Sequence, residues 1–186
     1  MTRSECDQEQ ALALTKHWVE RIVIGLNLCP FAARDWDLGR VRCTICDASD
    51  EADVLLALAS ELQLLDTDDS IETTLFVLTR AFSVFEDFNQ ILDLAEALLA
   101  SLDYEGVFQL ATFHPDYRFA DSGADDPANC SNQSPLPILH LLREASLSKA
   151  IALHPDTAQI PERNVRYLRQ LGIEAISRRL IPDDAD

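Results

Sequence analysis

Two imidazoles, one thiol and a set of amide, guanidinium and carboxylate groups are the side chains of this sequence with the chemistry to act on a small molecule. His114 and His140 are candidate acids or bases. Cys29 is the candidate nucleophile. In Gly25-Leu-Asn-Leu-Cys-Pro-Phe31 the proline suits the first position of a short helix, whose amides and dipole would stabilise a thiolate beside it. Arg118, Asn129, Asn132, Arg143 and Glu144 are candidate binding groups for a polar or anionic substrate. His140, Arg143 and Glu144 stand at i, i+3 and i+4, which is one face of a helix. His114, Asp116, His140 and Glu144 also offer the imidazole and carboxylate donors of a zinc or iron site. The residues specify no cofactor. Structural uses compete with each assignment: a solvent-facing pair for His140 and Glu144, a turn bond for His114, Asx turns for the two asparagines, and an apolar helix corner for Cys29.

The elements that must position these groups follow from periodicity. Residues 5–26 read as a helix with Ala11, Leu14, Trp18, Ile22 and Leu26 on one stripe. Strands are expected at 41–46, 73–79 and 107–113, the second a continuously apolar, β-rich run of the kind covered on both faces. Between them lie two amphipathic helices, one carrying Val54, Leu55, Leu58, Leu62 and Leu65 on one face, the other Phe88, Ile91, Leu92, Ala95, Leu98, Leu99 and Leu102 inward. This alternation predicts a single α/β domain over 1–186, with a small parallel or mixed sheet, βαβ crossovers and helical terminal segments. The pattern lapses over 114–137, and Ser134 with Pro135 predicts a helix over 135–145. Helices near 147–154 and 161–171 follow, with Gly172 as a stop and 174–186 as a loose tail. Ligands of open α/β sheets collect beyond the carboxyl ends of the strands, which selects Asp47 after the first strand, Thr79 and Arg80 after the second, and His114 with Asp116 and the loop that starts there after the third. Cys43 and Cys46 match C-x-x-C, yet on a strand they point to opposite faces, so two unlinked thiols are expected.

The 15 basic against 32 acidic residues give a net charge of −17, which argues against nucleic acid and anionic membrane surfaces as partners. No apolar stretch reaches the roughly 20 residues of a membrane span, and the residues after Met1 do not resemble a signal peptide. A cytoplasmic location is expected. Three function classes stay open: an enzyme acting on a small polar or anionic molecule, a non-catalytic binding or assembly protein whose acidic surface meets a protein partner, and a metal-binding protein.

Trp18-Val-Glu-Arg-Ile-Val-Ile-Gly-Leu-Asn-Leu-Cys-Pro-Phe-Ala32, Phe113-His-Pro-Asp-Tyr-Arg-Phe119, Asp126-Pro-Ala-Asn-Cys-Ser-Asn-Gln-Ser-Pro135 and His140-Leu-Leu-Arg-Glu-Ala-Ser146 resemble the signature segments of DUF1415, a bacterial family of unknown function. The resemblance runs from about residue 10 to 172 and implies no activity, cofactor or catalytic residue. The family carries Arg where this chain has Gln133, which removes one cation from an anion site.

Overall fold

Sheet formation is driven by the run Thr73-Thr-Leu-Phe-Val-Leu78, whose six residues are all buried. In the computed structural model, which describes residues 8–153 and 156–181, this run is strand β2 (Thr73–Leu78). It pairs in parallel with β1 (Val41–Cys46), from Val41 opposite Thr73 to Cys46 opposite Leu78. Helix α3 (Glu51–Thr67) connects the two, opened by Asp50, whose carboxylate accepts from the Ala52 amide. Helix α4 (Phe85–Ser101) leads from β2 to β3 (Phe108–Phe113). These three strands run in one direction, as expected.

The fourth strand is the correction. Residues 138–143 form β4 (Ile138–Arg143), not the predicted helix, and β4 inserts antiparallel between β2 and β3 to give the order β1-β2-β4-β3. Both edges of β4 find ladder partners, so every backbone group of a segment buried on both faces is satisfied. His140 and Arg143, placed together by a helix, lie on opposite faces of a strand. Glu144 then opens α5 (Glu144–Leu153). The sheet is mixed and the fold is α/β.

Helices cover both faces. Val54, Leu58, Leu62 and Leu65 of α3, with Phe88, Ile91 and Ala95 of α4, close on Phe76, Leu78, Leu139 and Leu141. Each of the four α3 side chains is fully buried and stabilises by about 2 kcal/mol. On the other face α1 (Gln8–Trp18) packs Trp18 against Leu75, Val77 and Ile138, joined by Leu168 of α6 (Ile160–Leu171) and Ile176 of α7 (Ile173–Leu180). Helix α7 replaces most of the loose tail expected after 173, because Ile176 is drawn into this core; residues 182–186, like His154, lie outside the described residues.

The helix expected over 5–26 begins as α1 and widens into π-helical turns at Val19–Ile24. Gly25 follows with φ −61° and ψ −29°, and a Cβ there would meet the Arg21 carbonyl oxygen at 2.5 Å, so only glycine closes this turn. After a loop through Cys29, the short helix α2 (Ala32–Asp37) brings Asp35 and Trp36 to the same side.

Candidate functional site

Between the α1 face of the sheet and helices α1, α2 and α5 lies a cavity of about 300 Å³. Its walls are mainly apolar: Trp18, Val19 and Val23, Phe31 and Trp36, Leu75, Phe113, Leu142 and Leu147. Thr73, Glu72, His140, Cys29 and Asp35 interrupt them. The cavity sits on a face of the sheet and reaches the amino ends of β1 and β2 at Val41 and Thr73, not beyond the carboxyl ends where the site was expected. That edge is filled by the 114–137 segment, which bonds to the strand ends through Asn132 Nδ2 to Thr112 O (3.3 Å) and Leu78 N to Pro137 O (2.9 Å).

His140 is the polar centre of the cavity. Its Nε2 lies 2.6 Å from Thr73 Oγ1, and Thr73 Oγ1 lies 2.5 Å from the Leu141 carbonyl oxygen. A carbonyl only accepts, so the single hydroxyl proton goes to Leu141 and Nε2 must donate to Thr73. The lone pair is thereby assigned to Nδ1, which has no hydrogen-bond partner among the described residues. Burial pushes the imidazole down to about 4, so it is neutral at pH 7 and acts as a hydrogen-bond acceptor. Phe113, whose ring centroid is 6.1 Å from that of His140, continues the row to Trp18 at 5.0 Å.

Among the described residues three side-chain polar atoms are fully buried without a partner, Trp18 Nε1, Glu72 Oε1 and Thr74 Oγ1, and the first two belong to residues that line the cavity. Trp18 is 2% exposed, and a buried indole N–H ordinarily finds an acceptor. The other oxygen of Glu72 pairs with Arg40, which also lies 3.6 Å from Asp35. One guanidinium thus faces two carboxylates at this wall.

Cys29 does line the cavity, but its electrostatics reverse the expectation. The amides of Phe31 and Ala32 bond the sulfur as a helix start would; nevertheless burial outweighs them and pushes the thiol up, and Asp35 adds to the rise. Helix α2 begins at Ala32, two residues later than Pro30 suggested. Alkylation with iodoacetamide at pH 7 should therefore be at least tenfold slower at Cys29 than in the urea-unfolded chain, with an apparent pKa above that of a free cysteine. Faster labelling in the native state would show an activated thiolate.

His114 is not part of this site. Phe113 faces the cavity, so the next residue turns to the opposite side, where the His114 ring, with no exposed surface, sits 5.3 Å from Phe85 and 5.2 Å from Phe88. Its Nε2 donates to Phe82 O (3.1 Å) and its Nδ1 accepts from Asp116 N (3.0 Å). The sheet separates it from His140. The four-residue metal set fails for the same reason, and no group of three or more His, Cys, Asp or Glu among the described residues has the arrangement of a metal site.

The expected binding residues are likewise committed elsewhere. Asn129, 1% exposed, accepts from Phe119 N and Ser122 Oγ and donates to Gly123 O, which staples the 114–137 segment. Asn132 spans Thr112 O and Ser131 Oγ. Arg118 is exposed outside the cavity, and Glu144 lies beyond it with its amide on Val107 O. Arg143 touches the cavity, but its guanidinium donates to the carbonyls of Leu65 in the last turn of α3 and of Asp68 and Ile71 just after it, and lies 5.8 Å over the Phe108 ring. Cys43 and Cys46 are free and face opposite cores, as expected.

Of the predicted residues the fold brings together Cys29 and His140, with Arg143 at the wall. Trp18, Glu72 and Thr73 were not foreseen. One signal points to Glu72: a carboxylate immediately before a β-rich run of the kind covered on both faces is poorly solvated. Trp18 carried none, since its place on the apolar stripe explains the ring but not the unsatisfied N–H.

Among the described residues no helix is long and apolar enough to cross a membrane. No curated protein and no solved structure matches the chain. The family described as "Protein of unknown function (DUF1415)" matches residues 10–178, spanning α1 to α7 and every wall of the cavity. The chain belongs to the DUF1415 family.

Proposed function

We propose that this protein is a small-molecule binding protein of the bacterial cytoplasm whose ligand occupies the cavity over His140. The observation that carries the reading is one cavity with mainly apolar walls, at whose centre His140 Nδ1 holds an unused acceptor. Leaving a buried polar group unpaired costs about 1–3 kcal/mol, and a ligand that pairs it recovers that cost. A 300 Å³ cavity is at the small end of ligand sites and about twice the 150 Å³ that holds a benzene ring. Binding is favoured over catalysis by the protonation states: burial keeps the thiol protonated and the imidazole neutral, which opposes a thiolate–imidazolium pair.

Thermal unfolding against a panel of one- and two-ring fragments tests this. A fragment at about ten times its Kd raises the midpoint by roughly 3–5 °C. Ala111→Leu, which places bulk in the cavity opposite His140, abolishes that response. A panel without a stabilising member, or an equal response from Ala111→Leu, refutes the proposal. Cys29 and His140 lining one cavity support a second reading, an enzyme acting on the same ligand, and the labelling of Cys29 detects the activated nucleophile it needs.

A further inference from the structure

The cavity offers a ligand one acceptor within reach. His140 Nε2–H is spent on Thr73, which leaves the free lone pair on Nδ1. Nδ1 is not one of the fully buried unpartnered atoms, which are Trp18 Nε1, Glu72 Oε1 and Thr74 Oγ1; it keeps accessible surface, and its residue lines the cavity. Burial holds the ring unprotonated at pH 7, so this nitrogen only accepts.

The donors of the walls are largely committed. The Thr73 hydroxyl proton goes to Leu141 O, Trp36 Nε1 donates to Glu20 (3.2 Å), and the Arg143 guanidinium donates to the carbonyls of Asp68 and Ile71. The Ser146 hydroxyl and the weak Cys29 thiol are the remaining side-chain donors among the lining residues with accessible surface, and neither is charged. A carboxylate or phosphate would therefore lose its hydration and gain no free cation. An ammonium fares no better against mainly apolar walls, because Glu72 and Asp35 already share Arg40. What the walls do supply is aromatic surface. Trp18, Phe31, Trp36 and Phe113 all contribute rings, and Trp18 meets Phe113 edge to face with centroids 5.0 Å apart, an arrangement that a further ring extends.

Building on the small-molecule reading above, we propose that the cavity takes an uncharged phenol of one or two rings, whose hydroxyl donates to His140 Nδ1. A ring hydroxyl is a strong uncharged donor, and the rest of such a molecule is the flat apolar body that the walls enclose. His140 is then the residue that sets specificity. It distinguishes the phenol from the same ring with its hydroxyl methylated.

Both tryptophans of the chain line the cavity, so intrinsic fluorescence reports its occupancy. Four probes on one skeleton separate the possibilities: 4-methylphenol, 4-methylanisole, 4-methylbenzoate and 4-methylbenzylammonium. The ether keeps the ring and the oxygen but not the donor. In His140→Leu the preference for the phenol over the ether should fall by at least about fivefold, the contribution of one neutral hydrogen bond, while the ether binds within about twofold of its wild-type affinity. Comparing preferences cancels the apolar contribution of each probe, which is the same in both proteins. Where His140→Leu does not fold, nitrogen NMR of the wild type decides instead: the phenol should shift the unprotonated Nδ1 of His140, and the ether should not. The benzoate and the benzylammonium should each bind at least about tenfold more weakly than the phenol. An unchanged preference in folded His140→Leu, an Nδ1 resonance that phenol and ether move alike, or a charged probe that equals the phenol overturns the ligand class while the cavity reading stands. No response to any of the four also overturns the ligand class, and joined by no stabilisation across the fragment panel it overturns both.

Discussion

Replacing Arg143 by methionine should cost the fold about 3 kcal/mol, the loss of several charge-assisted bonds to backbone carbonyls. The physical reason lies at the end of α3. A helix leaves its last carbonyls without amides, and the last turn of α3 holds no basic residue of its own. Arg143 reaches across from β4 to the carbonyls of Leu65, Asp68 (3.1 Å) and Ile71 (3.1 Å from Nη2, 3.2 Å from Nε), and its plane lies over Phe108. Methionine keeps most of the stem and removes the fork. For a chain of this length the thermal midpoint should fall by roughly 6–12 °C. Arg143→Lys should recover less than half of the loss, since a compact ammonium on a flexible stem lacks the planar fork whose separate nitrogens hold these carbonyls. A midpoint for Arg143→Met within 1 °C of wild type would show that these bonds add nothing net, and would return Arg143 to the list of groups free for a ligand.

The second large effect is on acid stability. Burial holds His140 at about 4, whereas the unfolded chain binds its proton near 6.5. Between those values the unfolded state carries more protons than the native state, so the native state loses stability as pH falls from about 6.5 to about 4 and loses no more from this group below that. The full difference is about 3 kcal/mol. Denaturant unfolding at pH 7, 5.5 and 4 measures it. His140→Gln should unfold with a shallower pH dependence through that window, whatever its absolute stability, because the comparison is of slopes. Parallel curves for the two proteins would mean that His140 is solvated in the native state. The exposed pair Arg169 and Asp126 acts in a separate range: the guanidinium 2.7 Å away holds the Asp126 carboxyl down at about 2, so its contribution is present above about 4 and fades as pH falls toward 2. The two windows do not overlap.

Arg143 and His140 are residues whose types stand out in the sequence and whose roles the fold changes. Arg143 was a substrate-binding candidate on a helical face and is a cap for α3. His140 was its neighbour on that face and lies across the sheet from it. The cause is one element, β4. Ile138-Leu-His-Leu-Leu-Arg143 is apolar at positions that satisfy a helical stripe, and Ser134-Pro135 is a good helix start. Ser134 instead turns its hydroxyl to Leu136 O at 2.5 Å, and the run continues extended. His114 was misplaced by a related step: the strand-end rule located its backbone correctly, but alternation along β3 sends its ring to the α4 side.

By itself the sequence determined what short-range physics decides: three strands of common direction, the two helices that join them with their inward faces, and the separation of Cys43 from Cys46. In each case the pattern repeats within one element, and the apolar face it creates can be buried in only one way. Tertiary structure decided β4, the cavity and the identity of its polar groups. A strand apolar on both faces looks like a helix until the open edges of β2 and β3 stand on either side of it, and those edges exist only once the sheet has formed. The unpaired N–H of Trp18 and oxygen of Glu72 are equally non-local, for a polar atom becomes an orphan only when elements distant in the chain have together removed its water.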